Sequence, residues 1–107
     1  MFARTLELTV KAEKKPELIK KAKAEILPVL HKQIGFVQVF ALENEVELNK
    51  AFIVTLWHTK MDAERYERET FPKIKQILEP YLVVPPVTKF YTVEETISER
   101  LISSMVA

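Results

Sequence analysis

Residues 51–58, AFIVTLWH, decide the fold. Extended, this segment sends Ala51, Ile53, Thr55 and Trp57 to one face and Phe52, Val54, Leu56 and His58 to the other, because side chains alternate along a strand. Its β-branched and aromatic residues suit that conformation. Both faces are mostly apolar, so both need cover. The same alternation separates Trp57 from His58, and the two are not expected to share one pocket.

Working back from this strand, residues 43–50 are polar and contain two asparagines, the composition of a hairpin connection. A partner strand over 36–42 precedes it. Gly35, the single glycine of the chain, can adopt the left-handed conformation that ends a helix cheaply. That helix begins near Pro16 and carries Leu18, Ala22, Ile26, Val29 and Leu30 at helical spacing. Pro28 interrupts the pattern and predicts a kink, since its ring removes a hydrogen bond and crowds the preceding turn. A first strand over 2–10 places Phe2, Arg4, Leu6, Leu8 and Val10 on one face.

Working forward, Thr59 or Asp62 can cap a second helix that carries Tyr66, Thr70, Phe71, Ile74, Ile77 and Leu78 on one side until Pro80, with Pro72 kinking or splitting it. A fourth strand over 87–93 follows Pro85 and Pro86. Thr92 and Glu95 form a possible capping box for a short last helix with Ile97, Leu101, Ile102 and Met105 on its apolar side.

The order β-α-β-β-α-β predicts an α+β, ferredoxin-like domain over residues 1–107. It would comprise a four-stranded antiparallel sheet, two helices on one face and a short C-terminal helix. The second face of the 51–58 strand would then be an open apolar surface of a size that soluble monomers rarely expose. A second copy is the simplest cover, which predicts a homodimer through the sheet face.

Composition narrows the functional classes. Sixteen basic and fifteen acidic residues give a net charge of +1, so charge offers no argument for nucleic acid or an anionic membrane. Without cysteine there is no disulfide, thiolate metal site or catalytic thiol. No signal peptide or bilayer-spanning run is legible, and a soluble, cytoplasmic protein is expected. The two histidines, His31 and His58, have no metal-binding spacing, and one glycine builds no phosphate loop or nucleophile elbow. Neither a metal nor a cofactor is expected. Glu13, Glu17, Glu25 and Glu64 lie among basic residues and read as solvated ion pairs.

Two longer stretches add a resemblance. ILPVLHKQIGFVQVF combines a proline-containing helix end with a Gly-Phe entry, Gly35 and Phe36, into the second strand. LWHTKMDAERYERE combines a strand-ending Trp57 with a short turn and a helix bearing Asp62, Ala63 and Tyr66. Both resemble the antibiotic biosynthesis monooxygenase-like group of dimeric α/β-barrel proteins, and the likeness runs from Phe2 to about Val93. It implies a dimeric α/β barrel and a ligand pocket between the sheet and helices of each subunit. It also implies possible oxygenation of an aromatic or polyketide-like molecule without a metal, with a noncatalytic binding or sensing module as the alternative. Heme-degrading members of the group use an asparagine in the first strand with a tryptophan and a histidine on the second-helix side. This chain has no asparagine in residues 2–10 and no histidine in residues 62–79, so it departs from that activity.

Trp57, Tyr66 and Phe71 are the candidate ligand-binding residues, Trp57 because an indole can stack on a planar ring while its N–H donates a hydrogen bond. Core packing is the simpler explanation of all three. The candidate catalytic residues are His31, Tyr66 and Arg4. His31 near a helix C-terminus is already explained by the helix dipole, and His58 by an interface or structural role. Arg4 is suited to hold a carboxylate or phenolate, yet the simpler expectation is a side chain that reaches solvent at the end of the sheet. Gln38 and Tyr91 are further polar candidates on strands.

Overall fold

Strands β1 (Phe2–Thr9) and β3 (Lys50–Trp57) form the centre of the sheet, with β2 (Phe36–Glu43) and β4 (Val87–Thr92) at its edges. In this computed structural model, which describes residues 1–94, the order is β2-β3-β1-β4 and every neighbouring pair is antiparallel. The ferredoxin-like topology expected from the sequence is present. A single chain leaves the sheet open at β2 and β4, so a closed barrel would require more than one chain. The expected C-terminal helix lies outside the described residues.

Register decides which side chains share a face. Arg4 stands opposite Thr55 on β3 and Phe90 on β4, and Thr55 stands opposite Val39 on β2. Phe2, Leu6 and Leu8 therefore join Ile53 and Trp57 on the inner face, where Leu18, Ile26, Leu30, Tyr66, Phe71, Ile74 and Leu78 cover them. The outer face carries Phe40, Leu42, Phe52 and Tyr91, each between 39% and 52% exposed. Gln38 also falls on this face, past an irregularity between Phe36 and Gln38.

Prolines shape both helical limbs. Pro28 has no N–H, and its ring would crowd the carbonyl of Ala24 in a regular helix. The expected kink takes the form of a π turn over Ala22–Ile26, between α1 (Lys15–Lys21) and α2 (Leu27–His31). There the Leu27 N–H reaches back five residues to the Ala22 carbonyl, the wider hydrogen bond of a π segment. Pro72 splits the second limb into α3 (Lys60–Glu69) and α4 (Phe71–Leu78). It sits in the first turn of α4, where a missing N–H costs nothing. Thr70 at the junction donates to Gln33 Oε1 at 3.1 Å and ties the two limbs together.

Thr59 caps α3: its hydroxyl accepts from the Asp62 N–H at 3.1 Å and donates to Asp62 Oδ2 at 2.9 Å. The cap lies against Gly35, whose φ is +81°. The Gly35 carbonyl accepts from the His58 N–H at 2.8 Å, and a methyl group on Gly35 would overlap the Asp62 side chain. A left-handed turn and a close approach thus both require glycine here. Gly35→Ala is expected to lower unfolding free energy by about 2–3 kcal/mol, the left-handed penalty plus displacement of Asp62. Urea denaturation followed by circular dichroism measures this, and an unchanged midpoint would contradict it.

Candidate functional site

The expectation that Arg4 reaches solvent is wrong, and the sheet order supplies the reason. β1 is a central strand, so Arg4 lies between β3 and β4 with the second helical limb over it, and the residue is only 2% exposed. Its Nε donates to Glu67 Oε2 at 2.5 Å. The guanidinium carbon lies 4.1 Å from the Phe71 ring centroid and 5.2 Å from that of Tyr66, within the range of cation–π attraction. Arg4 Nη2 is buried and has no hydrogen-bond partner among the described residues. A buried, unsatisfied donor is costly, and in a native structure it calls for an explanation.

An apolar cavity of about 260 Å³ lies beside this group, between the sheet and the two helical limbs. Arg4, Leu6, Leu8, Ile53 and Thr55 form its sheet wall. Leu18, Ala22, Ile26 and Leu27 line it from the first limb, and Tyr66, Ile74 and Leu78 from the second. The π turn therefore supplies part of the wall. Lys15, Lys23 and Glu43 stand at the rim, where Lys15 Nζ is 3.2 Å from Glu43 Oε1 and donates to the Leu48 carbonyl at 3.1 Å.

The candidates from sequence separate in space. Arg4 and Tyr66 line the cavity, whereas Trp57, Phe71 and His31 do not. Trp57 is fully buried, and its Nε1 donates to Thr55 Oγ1 at 2.9 Å, while that hydroxyl donates to the Arg4 carbonyl at 3.2 Å. The indole N–H is thus used within the core. Phe71 lies against the guanidinium of Arg4, and His31, exposed in the last turn of α2, has its ring centroid 5.8 Å from that of Phe36. His58 is exposed beyond the end of β3, and Gln38 and Tyr91 occupy the outer face of the sheet. Among the described residues, no group of three or more His, Cys, Asp or Glu side chains is placed to hold a metal ion.

Glu67 and Thr55 were not singled out from the sequence. Glu67 lies off the apolar stripe of α3 and resembles Glu64 and Glu69 in local context. The available signal was Arg4 itself, since an arginine on the apolar face of a strand calls for a carboxylate partner if that strand is central.

Burial pushes the Tyr66 hydroxyl up to about 12, with Arg4 lowering it and Glu67 raising it by smaller amounts. The residue is therefore a protonated hydrogen-bond donor near neutral pH. The unfolded chain releases this proton near 10 and the folded chain near 12, so between those values the folded state holds more protons and loses stability as pH rises. In Tyr66→Phe the fall in unfolding free energy from pH 10 to 12 should be shallower, by up to roughly 2 kcal/mol. Urea midpoints across that window measure it, and parallel curves for the two proteins would contradict the assignment.

No protein-family model matches the sequence, and no curated protein does. Solved structures do match. A variant of SnoaB, a cofactor-independent oxygenase from Streptomyces nogalater, aligns with a TM-score of 0.73 at 17% identity, covering 92% of this chain and 97% of that one. The monooxygenase from the gene ActVA-Orf6 of Streptomyces coelicolor, in complex with nanaomycin D, aligns with a TM-score of 0.72 at 15% identity, covering 92% of each chain. A conserved protein from Methanosarcina mazei Go1 aligns with a TM-score of 0.72 at 18% identity, covering 88% of this chain and 94% of that one. At these identities the likeness is one of fold, and the chain has the fold of antibiotic biosynthesis monooxygenase-like proteins.

Proposed function

We propose that the chain is an oxygenase-type enzyme that takes an apolar aromatic or polyketide-like molecule into the cavity and oxygenates it without a metal or organic cofactor. The unpaired Nη2 of Arg4 beside an otherwise apolar cavity carries this reading. Ligand sites commonly combine apolar walls with a few placed polar groups. The fold likeness to a cofactor-independent oxygenase and to a monooxygenase holding nanaomycin D raises the standing of oxygen chemistry over other uses of the pocket.

The chemistry asked of the protein is modest. An electron-rich substrate supplies the electrons itself: one oxygen atom of O2 enters the ring system, and the other leaves as water with two substrate hydrogens. Arg4 Nη2 donates to the substrate oxygen on which negative charge develops, and the protonated Tyr66 hydroxyl provides a second donor. A positioned donor in a dry site stabilises developing charge far better than one in water. Arg4→Gln should lower kcat by roughly 10²-fold for this reason. The measurement is oxygen uptake with a panel of naphthols, hydroquinones and anthrones, with thermal unfolding as the folding control. Failure of the wild type to consume oxygen with any of them would overturn the catalytic reading.

A noncatalytic binding module is the second reading, and one observation favours it. Both histidines stand outside the cavity, the tyrosine that lines it holds its proton to about 12, and the one carboxylate among its lining residues, Glu43 at the rim, is paired with Lys15, so no base stands beside Arg4 and Tyr66 in the cavity wall. Tight binding of the same compounds without oxygen uptake would select this reading.

We also propose that the outer sheet face pairs with a second copy, closing the open sheet into a dimeric barrel. Phe40, Leu42, Phe52 and Tyr91 form an apolar surface there, and burying such surface is worth roughly 25 cal/mol per Å² before association costs. Native mass spectrometry should report a dimer for the wild type and mainly monomer for Phe52→Glu. A wild-type monomer at micromolar concentration would overturn the pairing.

A further inference from the structure

We infer that Glu67 is a specificity-determining residue that makes the cavity select a neutral carbonyl group over a carboxylate. The inference rests on the reading of the cavity as a small-molecule site and names the charge class that the site takes.

Arginine in an apolar pocket ordinarily suggests an anionic ligand. Here the positive charge already has its counter-ion, because Glu67 Oε2 receives the Nε hydrogen bond at 2.5 Å. What remains is not a free charge but the N–H groups of a guanidinium that lines the cavity, of which Nη2 is buried without a partner. A ketone or quinone oxygen accepting from that donor leaves the cluster neutral. A carboxylate in the same place adds a second negative charge beside Glu67, inside walls made largely of aliphatic side chains. Two like charges about 6 Å apart at an effective dielectric near 20 repel strongly enough to weaken binding by roughly tenfold to a hundredfold. Desolvating the carboxylate adds to the penalty.

The lysines at the rim do not reverse this preference. Lys15 is engaged by Glu43 and the Leu48 carbonyl, and Lys23 is exposed to solvent, where ionic strength screens it. Glu43, which holds Lys15, also lies level with Leu8, because Glu43 pairs with Ala51 and Ala51 with Leu8, four residues along β1 from Arg4 or roughly 13 Å. Glu67, the carboxylate that pairs with Arg4, has its side chain 32% exposed.

A matched pair of probes tests the inference. An apolar cavity near 150 Å³ accommodates benzene, so about 260 Å³ suits a two-ring molecule. The probes are 2-acetylnaphthalene and 2-naphthoate, of similar shape and different charge, titrated calorimetrically into the wild type, Glu67→Gln and Glu67→Ser. The wild type should bind the ketone at least about tenfold more tightly than the carboxylate. In both variants naphthoate affinity should rise by roughly tenfold to a hundredfold, while ketone affinity changes by less than about threefold, which also reports an intact fold. The gain should vanish when Arg4→Gln is added. Retained ketone binding with unchanged naphthoate affinity in both variants would overturn the role of Glu67 and leave the cavity reading standing. Absence of binding of either probe to the wild type would overturn both.

Discussion

The buried guanidinium of Arg4 is the constraint on which the rest of the inner face depends. A charge in the middle of a central strand is costly to leave unpaired, because desolvation costs several kcal/mol per ion. The second helical limb meets that demand from two points. Glu67 supplies the counter-charge, and Tyr66 and Phe71 lay their rings against the guanidinium. Glu67 and Phe71 are four residues apart, across the break at Thr70, so α3 and α4 must dock together for Arg4 to be enclosed. Thr55 links the same strand pair through the Arg4 carbonyl and the indole of Trp57.

The cavity is the complement of this arrangement. Aromatic side chains concentrate at the Trp57 end of the sheet, where Trp57, Tyr66 and Phe71 have ring centroids 5.0 Å and 6.2 Å apart in succession. Toward the β2–β3 hairpin the inner face carries Leu8, Ala51 and Ile53, and the smaller Ala22 faces them from the π turn. Aromatic rings fill one end of the layer, and aliphatic side chains interspersed with Ala22, Ala41 and Ala51 surround the space at the other. The π turn widens the first limb where Pro28 would otherwise crowd Ala24, and its position in the wall agrees with the frequent occurrence of such turns at functional sites. Arg4 and Tyr66 lie at the boundary between the filled end and the open end, where each can serve both the core and a ligand.

Strand patterning was the most legible level of this protein. The two-sided apolar character of residues 51–58 required cover on both faces. Gly35 marked a left-handed helix end, and Pro28 and Pro72 marked the interruptions of the two limbs. These features depend on neighbours a few residues away, and local backbone chemistry determines them. The site was less legible. Trp57 carried the ring-stacking expectation because it is the one tryptophan and ends a strand, yet the structure places it fully within the core.

By itself the sequence determined the order of the four strands and the helical limbs between them, the two faces of the first and third strands, the helix stops and the single turn that must be glycine, because each follows from side-chain periodicity and allowed dihedral angles. Only the tertiary structure decided that Arg4 is enclosed, that Glu67 rather than Glu64 or Glu69 is its partner, and that its Nη2 is buried without a partner in a residue that lines an apolar cavity. Those outcomes depend on which strand is central and on how a helix sixty residues away is rotated over it, and no local pattern encodes the angle at which two distant segments meet.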